Sequence, residues 1–134
     1  MIDIENEVFS TIRQAIRDAH TGVYVTGEYV RTPPSFPCVM IEEQDNYPLR
    51  RTQSSDSSEN HVVLMYEVNV YSNKAVGKKT ECKAIAKTID EAFLRMGFSR
   101  RMLNPIPNMD NASVYRIVAR YQCVVDKKNT IYRY

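Results

Sequence analysis

The sequence predicts an α+β domain in which a mainly antiparallel sheet of four to five strands packs against two amphipathic helices on one face. Two stretches repeat apolar residues at helical spacing, and others alternate apolar with polar residues or are rich in β-branched residues. A chain of 134 residues also matches the size of one domain with one core. Because no linker-like segment divides it, we treat residues 1–134 as a single domain.

The first third of the chain predicts one helix and two strands. Asp3 is a plausible N-cap, and residues 4–19 repeat apolar side chains along one helical stripe. Val23–Val30 is rich in β-branched and aromatic residues, which favours a first strand. Three prolines within residues 32–37 predict a stiff turn into a short strand, Cys38–Glu43.

A polar segment separates these elements from the clearest strand of the sequence. Gln44–Asn60 contains few apolar residues and a serine cluster, so it predicts a long exposed loop, either functional or disordered. His61–Ser72 then alternates apolar and polar residues and predicts a strand buried on one face.

The second helix follows a turn that ends at Gly77. Lys78 and Lys79 are unfavourable next to a helix N-terminus, which indicates either an external partner or, the interpretation we favour, a helix that starts later. Gly97 suits the left-handed residue that closes a helix. Between these limits, the predicted buried stripe comprises Cys82, Ile85, Ala86, Ile89, Phe93 and Met96.

The last third predicts further strands of the sheet. Residues 98–103 suit a strand, residues 104–108 a proline-rich turn, and Val114–Val125 a long strand followed by a short tail over residues 130–134. In the long strand, Arg116 and Arg120 face away from the apolar side chains.

Composition excludes several classes of function. A net charge of +2 is too small for a protein that coats nucleic acid by bulk electrostatics. No stretch is apolar enough to span a membrane and the N-terminus lacks signal-peptide features, so we expect a cytoplasmic chain. The charge is nevertheless uneven: residues 1–60 carry −5 and residues 61–134 carry +7. The two halves either intermix in the fold or present complementary surfaces to neighbouring copies.

Motifs of catalysis, metal binding and cofactor binding are missing, so we expect no enzyme, no metal and no cofactor. Cys82 and Cys123 lie on apolar stripes and are interpreted as small core residues. Cys38 and His61 each begin a strand, which leaves open a nucleophilic pair beside the structural alternative. The mixture of arginine and tyrosine near the C-terminus also leaves open a small nucleic-acid-binding module.

Nearly the whole chain resembles the tail terminator or tail-completion proteins of long-tailed bacteriophages and prophages. The phrases that carry the resemblance are FPCVMIEEQDN, the step YSN…GKK into the second helix, MGF at its exit and YRIVARY in the last long strand. None of them is catalytic. The resemblance extends to neighbouring proteins of the head-to-tail connection, so a head-closure or other neck or minor capsid protein remains the alternative.

The resemblance implies a structural virion protein that is assembled in the bacterial cytoplasm and lies at the head–tail interface. It implies a ring, usually of six copies, that caps the tail tube and joins it to the head-completion or connector protein, with double-stranded DNA passing through. A single domain of this length has a radius of gyration of only about 14 Å, so one copy cannot enclose a duplex.

Charge and exposure suggest which residues serve such an assembly. DNA must slide through the ring, so the lumen should be neutral or acidic, and the basic residues should lie at subunit contacts or outside. Candidate residues of the lumen or an end surface are Glu42, Glu43, Asp45, Asp56 and Glu59. Candidate assembly contacts are Tyr47, Leu49, Arg50, Arg51, Arg116, Arg120, Tyr132 and Tyr134.

Overall fold

Residues 1–49, 60–107 and 111–134 are described by the computed structural model of the chain. In chain order the elements are α1 (Glu5–Ala19), β1 (Tyr24–Thr26), β2 (Cys38–Pro48), β3 (His61–Ser72), α2 (Lys78–Met96), β4 (Ser99–Pro105), β5 (Tyr115–Asp126) and β6 (Ile131–Arg133). The strands form one sheet in the order β1-β2-β3-β5-β4, and β6 pairs with β5 beyond the end of β4. Only the β1–β2 pair is parallel among these pairings.

The predicted α+β class is confirmed, but the predicted strand count of four to five is wrong because the described residues form six strands. The additional strand is β6, in the segment expected to be a tail. Asn129, at φ 63°, reverses the chain after β5, and the Asp126 carboxylate accepts hydrogen bonds from the backbone N–H groups of Lys128 and Thr130. This turn brings Ile131–Arg133 back against β5.

Helix α1 presents the stripe that its periodicity predicts, with Val8, Ile12 and Ile16 fully buried. Ile4 rather than Asp3 is its N-cap, so the predicted cap was one residue early. The Asp3 carboxylate still accepts a hydrogen bond of 3.0 Å from the Glu5 N–H.

Helix α2 begins at Lys78, so the later start expected from the two lysines is wrong. Gly77 immediately before it adopts φ 87°, a conformation that glycine tolerates well. Glu81 lies in the same first turn, where its negative charge offsets the lysines, and Lys79 reaches solvent. Gly97, at φ 101°, ends the helix as predicted.

Strand β1 is shorter than predicted, and strand β2 is longer. β1 covers three residues instead of Val23–Val30, whereas β2 continues five residues past Glu43 to Pro48. A β-bulge at Gln44 lets Asp45–Pro48 pair with β3, so the first part of the predicted loop is a strand. Of the remainder of that loop, Leu49 and Asn60 are described, and residues 50–59 lie outside the described residues.

Both helices cover the same face of the sheet, where the main core lies. An aromatic cluster of Tyr66, Phe93, Phe98 and Tyr121 joins α2 to β3 and β5. Both tyrosine hydroxyls of this cluster have a carboxylate acceptor, because Tyr66 donates to Glu43 at 2.9 Å and Tyr121 donates to Asp90 at 2.8 Å. Burying these rings therefore leaves no hydroxyl without a partner.

We name the opposite side of the sheet the open face. It carries the side chains of each strand that point away from the two helices. In β5 it presents Arg116 and Arg120, and in β3 it presents Glu67 and Asn69. The predicted direction of Arg116 and Arg120, away from the apolar face of β5, is confirmed, although Val118 and Val124 on the same side as the arginines are buried.

Candidate functional site

Arg116 and Arg120 lie on the open face and are both engaged by β3. The Arg116 Nε donates to the Asn69 Oδ1 at 2.9 Å, and its guanidinium carbon lies 5.7 Å from the centre of the Tyr71 ring. The Arg120 Nε lies 3.1 Å from the Glu67 Oε2. These contacts hold both guanidinium groups against the sheet.

Glu42 and Glu43 are adjacent in sequence but lie on opposite faces of β2. Glu42 is opposite Glu67 on the open face, and its pKa is raised by burial and by the negative charge of Glu67. Glu43 lies on the helix side, opposite Tyr66. The predicted acidic group around β2 is therefore divided by the sheet rather than collected on one surface.

Glu43 belongs to a cluster of three carboxylates at the start of α1. Oxygen atoms of Asp3, Glu5 and Glu43 lie within 4.8 Å of one another, which is close enough for them to share a cation. Burial raises the pKa of Glu43, and the charges of Glu5 and Asp3 raise it further, while the hydrogen bond from Tyr66 lowers it. The cluster places three carboxylates between the start of α1 and the middle of β2.

Two tyrosines lie at the two ends of one row of paired residues across the open face. The row runs across the strands in the order Tyr47, Val63, Val124 and Tyr132. The two tyrosines at the ends of the row are 40% and 47% exposed, whereas the two valines between them are buried. Tyr132 also lies 6.0 Å, between ring centres, from His61. Two of the predicted contact residues thus share one surface.

The other predicted contact residues are only partly described. Leu49 is half-buried at the end of β2, where its N–H donates to the His61 carbonyl at 2.9 Å. Tyr134 is 50% exposed, and its ring lies 5.3 Å from the Arg101 guanidinium carbon. Four predicted candidates lie outside the described residues: Arg50, Arg51, Asp56 and Glu59.

The two edges of the sheet carry opposite charges. β1 pairs only with Cys38–Met40, so within the described residues the rest of β2 lies at the edge of the sheet. β2 contains three acidic and no basic residues, whereas β4 and β6 at the other edge contain three arginines and no acidic residue. These charged residues are Glu42, Glu43 and Asp45 on one side, and Arg100, Arg101 and Arg133 on the other.

The arginines of the basic edge are fixed by local contacts. The Arg101 Nε donates to the Gln122 Oε1 at 2.8 Å, and the Arg133 Nη1 donates to the Phe98 carbonyl at 3.0 Å. Arg100 pairs with Asp90 at 3.3 Å but remains about half exposed. The edge therefore presents positive charge at defined positions.

Sequence reasoning missed Arg100 and Arg101 as candidate contacts. The signal was an arginine pair just after the glycine that ends α2, in a strand too short to show clear alternation. Arg101 occupies a β-bulge between Arg100 and Met102, and this shift places it beside Gln122 on the open face. Periodicity alone does not predict such a shift.

The nucleophilic pair left open for Cys38 and His61 is excluded by the sheet register. Cys38 is opposite Tyr71 at one end of β3, and His61 is the first residue at the other end. Ten residues of strand separate these ends, which corresponds to about 33 Å. Burial also raises the pKa of the Cys38 thiol to about 11, which keeps it protonated at neutral pH.

Neither described helix is both long and apolar enough to cross a membrane. The chain matches no protein-family model, and a search of curated proteins found no match.

Proposed function

We propose that the chain is a structural virion protein of a long-tailed bacteriophage or prophage, a tail terminator that forms a ring, caps the tail tube and joins it to the head connector. It would be assembled in the host cytoplasm and would lie at the head–tail interface of the virion. The resemblance of nearly the whole sequence motivates this proposal.

The observation that carries the proposal is the opposite charge of the two sheet edges. A ring of identical subunits uses head-to-tail contacts, in which two different patches of each copy meet. The acidic β2 edge and the basic edge formed by β4 and β6 are two such patches, and their charges attract. The edges lie on opposite sides of one sheet, so each copy can contact two neighbours at once.

The proposed ring leaves a place for DNA. Arg120 forms an ion pair with Glu67 on the open face, which lowers its capacity to hold phosphate. Asp45 is exposed on β2, so the proposed edge-to-edge contact moves this lumen candidate to a subunit contact. We retain the neutral or acidic lumen expected from the sequence as a proposal, and we place the basic edge of β4 and β6, in place of Arg116 and Arg120, at a subunit contact.

Charge reversal at one residue of each edge tests the arrangement. Asp45 and Arg101 are exposed, so Asp45→Lys and Arg101→Glu should each place like charges across every contact of the ring. Each single variant should lower the assembled fraction, measured by light scattering with the tail tube protein of the same phage. The double variant restores opposite charges and should recover assembly.

Arg17→Glu is the matched control, because Arg17 is exposed on α1 and undergoes the same charge change away from both edges. Assembly that is lost equally in the control, or that is unchanged in both single variants, would contradict the edge-to-edge arrangement. Binding to the connector protein but not to the tube would instead identify a head-closure or neck protein. Tight, salt-dependent binding of DNA by the monomer would indicate a nucleic-acid-binding module.

A further inference from the structure

A small cavity of about 140 Å³ lies between the segment that follows β1 and the open face of the sheet. Two arginines and three aromatic residues contribute to its wall: Arg31, Arg116, Tyr29, Phe36 and Tyr71. It is separate from both charged edges used in the proposed function, and the inference below does not depend on the ring.

Arg31 and Arg116 both have N–H donors without an acceptor among the described residues. The only donor of Arg116 with a protein acceptor in the described ranges is Nε, which binds Asn69, so its two Nη groups remain available on the cavity side. Arg31 is exposed and forms no ion pair or hydrogen bond with any residue the structure describes. The planar guanidinium group matches carboxylate and phosphate oxygens with paired hydrogen bonds.

Tyr71 adds a third donor. Its side chain lines the cavity, and within the described part of the chain its hydroxyl has no hydrogen-bond partner. The residue is only 9% exposed, but its hydroxyl oxygen is not enclosed by protein, so an acceptor that enters the cavity can reach it. Burial raises the pKa of Tyr71, so the hydroxyl keeps its proton at neutral pH and can donate it to an acceptor.

The nearby acidic groups do not cancel this positive charge. Glu67 is neutralised by Arg120, with which it forms an ion pair, and it also accepts a hydrogen bond from Asn69. Glu42 lies close enough to Tyr71 to influence its pKa and is the acidic group that opposes the arginines. With two guanidinium groups and one carboxylate nearby, the cavity has a net positive charge.

We propose that this cavity binds one small oxyanion, a carboxylate or a phosphate group, between Arg31 and Arg116 with the Tyr71 hydroxyl as a third donor. Its volume corresponds to about five water molecules, and pockets for drug-sized ligands start at about 300 Å³. The group comes either from a free anion or from an acidic side chain of a second copy of this chain.

A titration followed by amide chemical shifts tests the proposal. Inorganic phosphate and acetate are added separately to the full chain at constant ionic strength, with chloride as the reference ion. We expect saturable shifts at residues 29–36 and 69–71, and binding weakened at least about tenfold in Arg31→Gln and in Tyr71→Phe. Arg17→Gln removes the same charge on α1 and should bind as the wild-type chain does.

Sedimentation of the same samples distinguishes the two sources. If the anion is free in solution, binding saturates without a change of mass. If it is a side chain of a second copy, the chain associates without added anion, phosphate dissociates it and Arg31→Gln weakens it. Shifts no larger than those caused by chloride, or shifts and association unchanged in both Arg31→Gln and Tyr71→Phe, would overturn the proposal.

Discussion

Phe93 should be the residue through which α2 is held most firmly on the sheet. Its ring is fully buried and stacks on Tyr121 at 4.2 Å with an angle of 5° between the planes. It also meets Phe98 edge to face at 5.1 Å and Tyr66 at 6.2 Å. Truncating a buried phenylalanine to alanine costs about 3–5 kcal/mol, since both the transfer free energy and the packing around the cavity are lost.

We expect Phe93→Ala to lower the free energy of unfolding by about 4 kcal/mol, which is a large share of the stability of a domain this size. The unfolding entropy of 134 residues is about 0.28 kcal/mol/K, so the melting temperature should fall by about 14 °C. Phe93→Leu keeps most of the volume and should lose about 1–2 kcal/mol, chiefly from the aromatic contacts.

Equilibrium unfolding in urea measures these differences. Leu94→Ala is the control on the same helix, because that side chain is 36% exposed and should lose less than about 1 kcal/mol. The reasoning is refuted if Phe93→Ala is no more destabilising than Leu94→Ala, since the aromatic cluster would then not fix α2 to the sheet.

Three further predictions concern single groups. Tyr121→Phe keeps the ring stack but loses the hydrogen bond to a carboxylate, so urea unfolding should show a loss of about 1.5 kcal/mol, and an unchanged midpoint would contradict the role of that bond. The pKa of Glu43 is raised in the folded state, so this group stabilises the fold below pH 4.5, and the contribution is lost as the pH rises through the raised pKa. Glu43→Gln should therefore flatten the dependence of the unfolding free energy on pH in this range. Parallel pH dependences of the variant and the wild-type chain would argue against this role of Glu43. Burial raises the pKa of Cys82 and of Cys123 to about 12, so their thiols should react with a disulfide reagent only after unfolding, and rapid labelling of the native chain would disprove this.

Periodicity predicted the helices and the longest strands because each has one regular apolar face against the main core. α1 buries one stripe, and β3 buries Val62, Leu64, Tyr66, Val68 and Val70 on the helix side, as the sequence predicts. The expectation that β3 is buried on one face only is wrong, because Val63, Asn69 and Tyr71 are buried on the open face. β2 beyond Glu43 gave no such signal, because it lies at the edge of the sheet and several of its residues are exposed. Strand pairing with β3, which the local sequence does not encode, makes this segment a strand.

The candidate surfaces were only partly predictable for the same reason. The sequence showed that Glu42 and Glu43 are acidic, but the alternation of β2 sends them to opposite faces. β6 is three residues long, too short for a recognisable pattern, so the position of Arg133 at the basic edge depends on the turn at Asn129. Arg31 and Arg116 line the same cavity although they are 85 residues apart in the sequence. A local sequence pattern could not predict this proximity, because it depends on how the segment after β1 packs on the sheet.

Electron microscopy of tail tubes is the most direct test of the proposed function. The purified chain of 15.5 kDa is added to tubes assembled from the tube protein of the same phage, and the tube ends are imaged. The account predicts a ring of chains, six by the resemblance, at one end of each tube, and no further growth at that end. Tube ends that stay bare and continue to grow, with the chain remaining monomeric, would contradict it.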